Sequence, residues 1–240
     1  MLQRRFTESW LRGWLNRMDF QLDVDYRKLR FSNLKSEPYK HLKWLLFWPL
    51  FGLGFMFVER FYQVEYYYPM YCPLDDLIPF CEWFFIPYML WFAYLVFMNL
   101  YTLFCDVDTF KRMTKYFALT YGAALLTYFI FPTCQELRPI AFENENFLTN
   151  MITGFYNFDT NTNVCPSIHV LGSFAVMEAA VWSKKIELKW IKIAFVALGL
   201  IISISTVFMK QHSILDVIAA LPLCLFGHLL FFRKSKHSHA

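Results

Sequence analysis

The chain has 240 residues, of which 57% are hydrophobic, 21% aromatic and only 18% charged, with a mean hydropathy of +0.33. That composition is too apolar for an ordinary soluble domain, and it excludes a disordered chain, a nucleic-acid-binding arm and a disulfide scaffold. The formal charge of +4 is unevenly spread, because the charged residues cluster between long runs that have almost none. The chain reads as a multi-spanning membrane protein.

Residues 1–43 form a basic segment. Leu2, Phe6, Trp10, Trp14 and Met18 recur every four residues, with Leu11 and Leu15 beside them and Arg4, Arg5, Arg12 and Arg17 around the rest. This spacing predicts an amphipathic helix, lying either on the anionic inner leaflet or on the inner loops of a bundle. The first 20 residues carry Arg throughout and lack an apolar core, so no cleavable signal peptide is expected.

A helix needs roughly 20 residues, range about 17 to 25, to cross the hydrocarbon. Six runs between residues 44 and 232 qualify or come close: Trp44 to Val58, Trp83 to Cys105, Tyr116 to Gln135, Ser167 to Trp182, Ile193 to Met209, and Ser213 to Phe232. Each must be helical, since unpaired backbone groups are too costly in lipid. The expected fold is therefore all-α, a polytopic six-transmembrane-helix bundle preceded by the amphipathic helix and followed by a short tail, 233–240.

Orientation follows from the 23 Lys and Arg residues. Ten precede the first span; Lys111, Arg112 and Lys115 follow the second, Lys184, Lys185, Lys189 and Lys192 follow the fourth, and Arg233, Lys234 and Lys236 follow the sixth. Only Arg60, Arg138 and Lys210 fall in the alternate loops. The positive-inside rule then puts both termini in the cytoplasm. Trp44, Trp48, Tyr66, Tyr67, Tyr68, Trp83, Trp182 and Trp190 read as interfacial anchors.

Of the six cysteines, Cys72, Cys81, Cys134 and Cys165 lie on or near the outer side, where disulfides could persist. Their spacing matches no metal motif, and free thiols are the default. Neither a metal nor a cofactor is expected.

The outer loops carry the chemistry. Arg138 stands just past the third span, Lys210 just past the fifth, and Cys165-Pro166-Ser167-Ile168-His169 enters the fourth. In a hairpin bundle all three junctions share one membrane face. His212 and Asp216 are four apart, so on a helix they share a face. The carboxylate can fix the imidazole tautomer and leave the other ring nitrogen as a lone-pair nucleophile. His169 could protonate a leaving oxygen. Arg138, Lys210, Ser167 and the backbone N–H groups at the start of the fourth span are suited to hold phosphate oxygens.

This arrangement resembles the type 2 phosphatidic acid phosphatase superfamily, whose three motifs are K-x6-R-P, P-S-G-H and S-R-x5-H-x3-D. The first appears as Phe131 to Pro139, keeping Arg138 and Pro139; the second is Pro166-Ser167-Ile168-His169; the third is Ser205-Thr206, five residues, His212, three residues, Asp216. The likeness spans about residues 75 to 232, including the six-helix count and the outward site. It implies metal-independent double displacement, with His212 the nucleophile, Asp216 its orienting partner, His169 the acid, and water resolving a phosphohistidine. Phe131, Ile168 and Thr206 depart from the motif Lys, Gly and Arg, so two of three cationic ligands are missing, with Lys210 placed to replace one. The sequence resembles the branch containing inositol phosphorylceramide synthases and related bacterial proteins, which includes phosphotransferases.

The expected substrate is a phospholipid or polyprenyl phosphate, and the expected activity a lipid phosphatase. Two alternatives stay open, a lipid headgroup phosphotransferase and a non-catalytic lipid-binding or transport protein. Glu178 lies nine residues after His169, on the helical rise about 13 Å deeper, and reads as an interhelical hydrogen-bond partner. His228 reads as structural. The long connection from Pro139 to Pro166 reads as a lid over the phosphate pocket.

Overall fold

The computed structural model describes residues 19–62 and 64–233. The predicted amphipathic helix and most of the tail lie outside the described residues. Helix takes 69% and strand 3%, in keeping with the all-helical expectation. A 3-10 stretch, Glu37–Leu46, runs straight into α1 (Phe47–Arg60). There follow β1 (Tyr68–Pro69), α2 (Leu74–Leu77), α3 (Phe85–Cys105), α4 (Val107–Ile130), β2 (Thr133–Cys134), α5 (Phe147–Phe158), α6 (Ile168–Trp182), α7 (Lys189–Phe208) and α8 (Ile214–Phe231).

Helices occupy all six predicted span positions. Four, namely Glu37–Arg60, Glu82–Cys105, α7 and α8, are long and apolar enough to cross a membrane. The other two differ for identifiable reasons. Helix α6 has only 15 residues. Helix α4 carries Lys115 and a series of Thr and Tyr residues, and it is shifted along the sequence from the predicted Tyr116 to Gln135. Its start is fixed by Asp106, whose carboxylate accepts the Thr109 N–H at 3.2 Å, and by the Asp108–Arg112 pair at 3.0 Å. It stops before Pro132, and β2 then pairs in parallel with β1, Tyr68 opposite Thr133.

Helix α6 is the centre of the bundle, packed by α3, α4, α7 and α8. Ten of its fifteen residues are buried, which explains why it shows no amphipathic stripe. Small residues let the neighbours come close. A Cβ on Gly172 would stand 2.3 Å from Tyr121 Oη and 3.1 Å from Trp91 Nε1, and one on Gly199 would stand 2.7 Å from Met177. Glu178 finds its interhelical partner in α8, with Oε1 2.9 Å from His228 Nδ1.

The polar residues of α4 are satisfied internally, as they must be in an apolar surrounding. Thr114, Thr120 and Thr127 donate to carbonyls one turn back, at 2.9 Å each. Tyr121 and Tyr128, two turns apart on one face, donate outward to the start of α6. Tyr121 Oη meets the Ile168 carbonyl at 3.1 Å and Tyr128 Oη the Pro166 carbonyl at 2.6 Å. The segment that carries His169 is thus pinned by a neighbouring helix.

Candidate active site

Three local signals bring the two histidines together. Ser167 is the N-cap of α6, its Oγ accepting the Val170 N–H at 3.5 Å. Ser213 is the N-cap of α8 in a capping box with Asp216, whose Oδ2 accepts the Ser213 N–H at 3.0 Å. The two caps are joined, because the Ser167 N–H donates to the Asp216 carbonyl at 3.2 Å. His169 and His212 flank that junction.

Asp216 is fully buried, and its Oδ2 stands 3.1 Å from His212 Nδ1. With the proton of that ring nitrogen directed at the carboxylate, Nε2 carries the lone pair. Nε2 faces His169 Nδ1 at 3.4 Å. The His169 ring is held between Tyr88 and Trp91, with centroids 4.5 and 4.3 Å away. Burial, and then Asp216, push the nearby Cys165 thiol up to about 12, so it is neutral at pH 7. All six cysteines are free.

Arg138 comes to the same place by acting as a clamp. Nη1 donates to the carbonyls of Tyr156 and Asp159 at 3.0 and 2.9 Å; Nη2 donates to the Thr160 carbonyl at 2.8 Å and to Gln211 Oε1 at 2.7 Å. The guanidinium also sits 4.6 Å from the Tyr156 ring centroid and 3.7 Å from Asp159 Oδ2. Burial lowers its pKa and Asp159 opposes that shift. Four of its hydrogen bonds are therefore spent on fixing the end of α5 and the residue before His212. Its Nε is buried without a partner.

Lys210 is not brought to the histidines. The chain turns through the left-handed region there, φ 52°, and Nζ donates to the Asp75 carbonyl at 2.7 Å. Its side chain lines a separate surface pocket with Asp76 and Glu136. Ser167 is present as the cap and its backbone as the tie between helices, but it lines neither cavity beside the histidines.

Asp75, which sequence reasoning passed over, is the third fixed point. It is fully buried, and Oδ2 accepts from Ser213 Oγ at 2.6 Å and the Cys72 N–H at 2.8 Å, while Oδ1 accepts the Ile214 N–H at 2.8 Å. A carboxylate on the N-terminus of α8 also suits the helix dipole. The acidic pair Asp75-Asp76 inside a mostly apolar segment was the available signal.

Two cavities meet at His169. A small one of about 50 Å³ is lined by His169, His212, Glu59, Asp159, Asn163 and Gln211, among others. A larger one of about 590 Å³ is almost wholly apolar and runs between α1 and α3 past Phe51, Trp91, Leu95, Leu100 and Leu103. Phe55, Tyr88, Asp159, Ile168 and His169 line both. The connection from 139 to 166 forms α5 over this junction, with Phe155 against Tyr88 at 5.5 Å between ring centroids and Tyr156 Oη donating to the Met209 carbonyl at 2.5 Å. Among the described residues, no group of three His, Cys, Asp or Glu is arranged to hold a metal ion.

Compared with protein-family models, with curated proteins and with solved structures, the chain matches none.

Proposed function

We propose that the protein is a metal-independent membrane lipid phosphatase of the type 2 phosphatidic acid phosphatase kind, working through a phosphohistidine. The observation that carries this reading is the buried series Asp216 Oδ2, His212 Nδ1, His212 Nε2 and His169 Nδ1, at 3.1 and 3.4 Å. His212 Nε2 attacks phosphorus and the phosphorus–oxygen bond to the lipid breaks, with His169 giving that oxygen its proton. Water then attacks the phosphohistidine, its proton passes to His169, and phosphate leaves as His212 is restored. Asp216 holds the imidazole tautomer and stabilises the ring as charge develops.

The apolar cavity that opens onto His169 supports a lipid substrate, since it offers hydrocarbon walls next to a polar reacting centre. The sequence asymmetry of Lys and Arg supports six crossings with both termini cytoplasmic and the site on the opposite face. Helix α5 serves as the lid over the site. A second reading, transfer of a phosphoryl-linked headgroup to a lipid alcohol, is favoured by one feature. Arg138 is spent on backbone carbonyls and Lys210 faces elsewhere, which leaves less cationic grip for a bare phosphate.

The purified protein in vesicles, given phosphorus-labelled phospholipid with and without a lipid alcohol, tests both. Phosphate release supports the phosphatase and label on the alcohol supports the transferase. Turnover equal in the parent and in His212→Ala, or turnover only with added Mg²⁺, would overturn the mechanism.

A further inference from the structure

The small cavity beside the histidines has a chemical character that bare phosphate does not explain. No lysine or arginine lines it. Its acidic lining residues are Glu59 and Asp159. Glu59 is held in place, with Oε1 accepting from Thr162 Oγ1 at 3.1 Å and Oε2 from Asn163 Nδ2 at 3.0 Å. Asp159 is fixed at the end of α5, where Arg138 grips its carbonyl and stands 3.7 Å from Oδ2, and its side chain remains 41% exposed between the two cavities.

Two further lining residues point to an absent polar ligand. Asn163 is 6% exposed and its Oδ1 has no partner; Gln211 is 3% exposed and its Nε2 has no partner. Buried amide atoms are rarely left unpaired, because the hydrogen bond to water lost on burial is then not replaced. One is an acceptor and the other a donor. The acceptor Asn163 Oδ1 belongs to the same side chain that binds Glu59, whereas the donor Gln211 Nε2 belongs to the residue before His212.

We propose that this cavity is a headgroup subsite for a primary ammonium carried a short chain away from the phosphate, as in a phosphoethanolamine lipid. This rests on the phosphoryl-transfer reading of His212 and His169 and names its substrate class. A primary ammonium has three N–H donors and no acceptor, and Glu59, Asp159 and Asn163 Oδ1 offer it three acceptors. Gln211 Nε2 supplies a donor to the phosphate beside His212. At about 50 Å³ the cavity suits a short chain entering beside the phosphate better than a cyclitol ring. The lipid tails then leave through the apolar cavity that shares His169 and Asp159.

The step for such a diester balances. His212 Nε2 bonds to phosphorus, the phosphorus–oxygen bond to the lipid glycerol breaks, and His169 gives that oxygen its proton. The aminoethyl phosphoryl group then passes from His212 to water or an alcohol, whose proton returns to His169.

The test uses the full chain in vesicles containing phosphatidylethanolamine, phosphatidylglycerol or phosphatidate, each headgroup-labelled, beside a binding arm that needs no turnover. Turnover of phosphatidylethanolamine should exceed that of phosphatidylglycerol at least tenfold, and Glu59→Gln and Asp159→Asn should each lower that ratio at least fivefold. In the binding arm O-phosphoethanolamine should raise the melting temperature more than inorganic phosphate does, and Glu59→Gln, which keeps a side chain of the same shape, should abolish the difference. Turnover that depends on His212 with no preference for the amine lipid, or a ratio unmoved by both variants, would overturn the subsite and leave phosphoryl transfer standing. If no lipid is turned over, the binding arm still decides: equal stabilisation by the two phosphates overturns the subsite, and a difference that Glu59→Gln removes upholds it.

Discussion

His212 Nε2 stands 3.4 Å from His169 Nδ1, and the contact joins the first turn of α6 to the residue just before the N-cap of α8, 43 positions along the chain. One imidazole is oriented by a carboxylate and the other by two aromatic faces. Two identical side chains are thereby given unequal surroundings, which suits one as nucleophile and the other as acid. His212→Ala should abolish turnover, and His169→Ala and Asp216→Asn should each lower it by about 10²- to 10⁴-fold, with the fold retained. Rates come from the labelled-lipid assay and folding from a melting curve in detergent. A His169→Ala protein as fast as the parent would remove His169 from the mechanism.

Arg138 grips Gln211 and the end of α5, so in the proposed reaction it is a positioning residue. Lysine has one ammonium and cannot make four directed bonds in a plane. Arg138→Lys should therefore lower kcat at least tenfold while KM changes less than threefold. If KM rises instead and kcat is kept, the guanidinium touches substrate directly and the clamp interpretation is wrong.

Asp75 holds the first turn of α8 through Ser213 and Ile214. Removing it leaves buried donors unpaired, at about 1–3 kcal/mol. Asp75→Ala should lower the melting temperature by several degrees and slow turnover, since His212 immediately precedes the cap. Asp75→Asn should do part of the same damage, because one of its two positions now donates toward donors. Melting temperatures of both variants within a degree of the parent would refute this role.

Gly172→Ala puts a methyl group where Tyr121 Oη stands, 2.3 Å from the new carbon. Overpacking of this kind costs about 1–3 kcal/mol. Tyr121 must move, and its bond to the Ile168 carbonyl beside His169 goes with it. The expected result is a lower melting temperature together with lower turnover, and stability lost with turnover intact would uncouple the tyrosine from the site.

Burial raises the pKa of Asp159, opposed first by Arg138 and then by His212 and Arg60. A folded-state value above the unfolded one means that the folded protein holds the proton more tightly. Stability then declines as pH rises from about 4, the ordinary aspartate value, through the raised folded value, and is level above it. Asp159→Asn should flatten that part of the profile. Melting temperatures of parent and variant at pH 4, 5, 6 and 7 measure it, and parallel curves would contradict the assignment.

The positions of the long helices were legible because apolar runs are interrupted only by charge, Gly and Pro. The boundary of α4 was not, since Asp106 and the Asp108–Arg112 pair start a helix in residues that a hydropathy reading assigns to a loop. The pairing of His212 with Asp216 could be read from a four-residue spacing, and Ser167 as a cap from its place before Ile168. Lys210 could not be placed, because a left-handed turn decides where its side chain goes and nothing in the residue type announces it. Asp75, Glu59 and Asp159 escaped for a different reason. Glu59 and Asp75 bond to residues more than 100 positions away, and Asp159 meets Arg138 and the two cavities only once the tertiary fold is formed.

The brevity of α6 bears on the lipid environment. Fifteen residues make about 22 Å of helix, against roughly 30 Å of hydrocarbon. If Trp182, stacked by Arg112 at 4.7 Å, anchors one end at the interface, the histidine end stops several ångströms short of the other. The proposed reaction then requires the bilayer to thin there or a lipid to sink to meet the histidines, which would make membrane thickness itself a determinant of its rate.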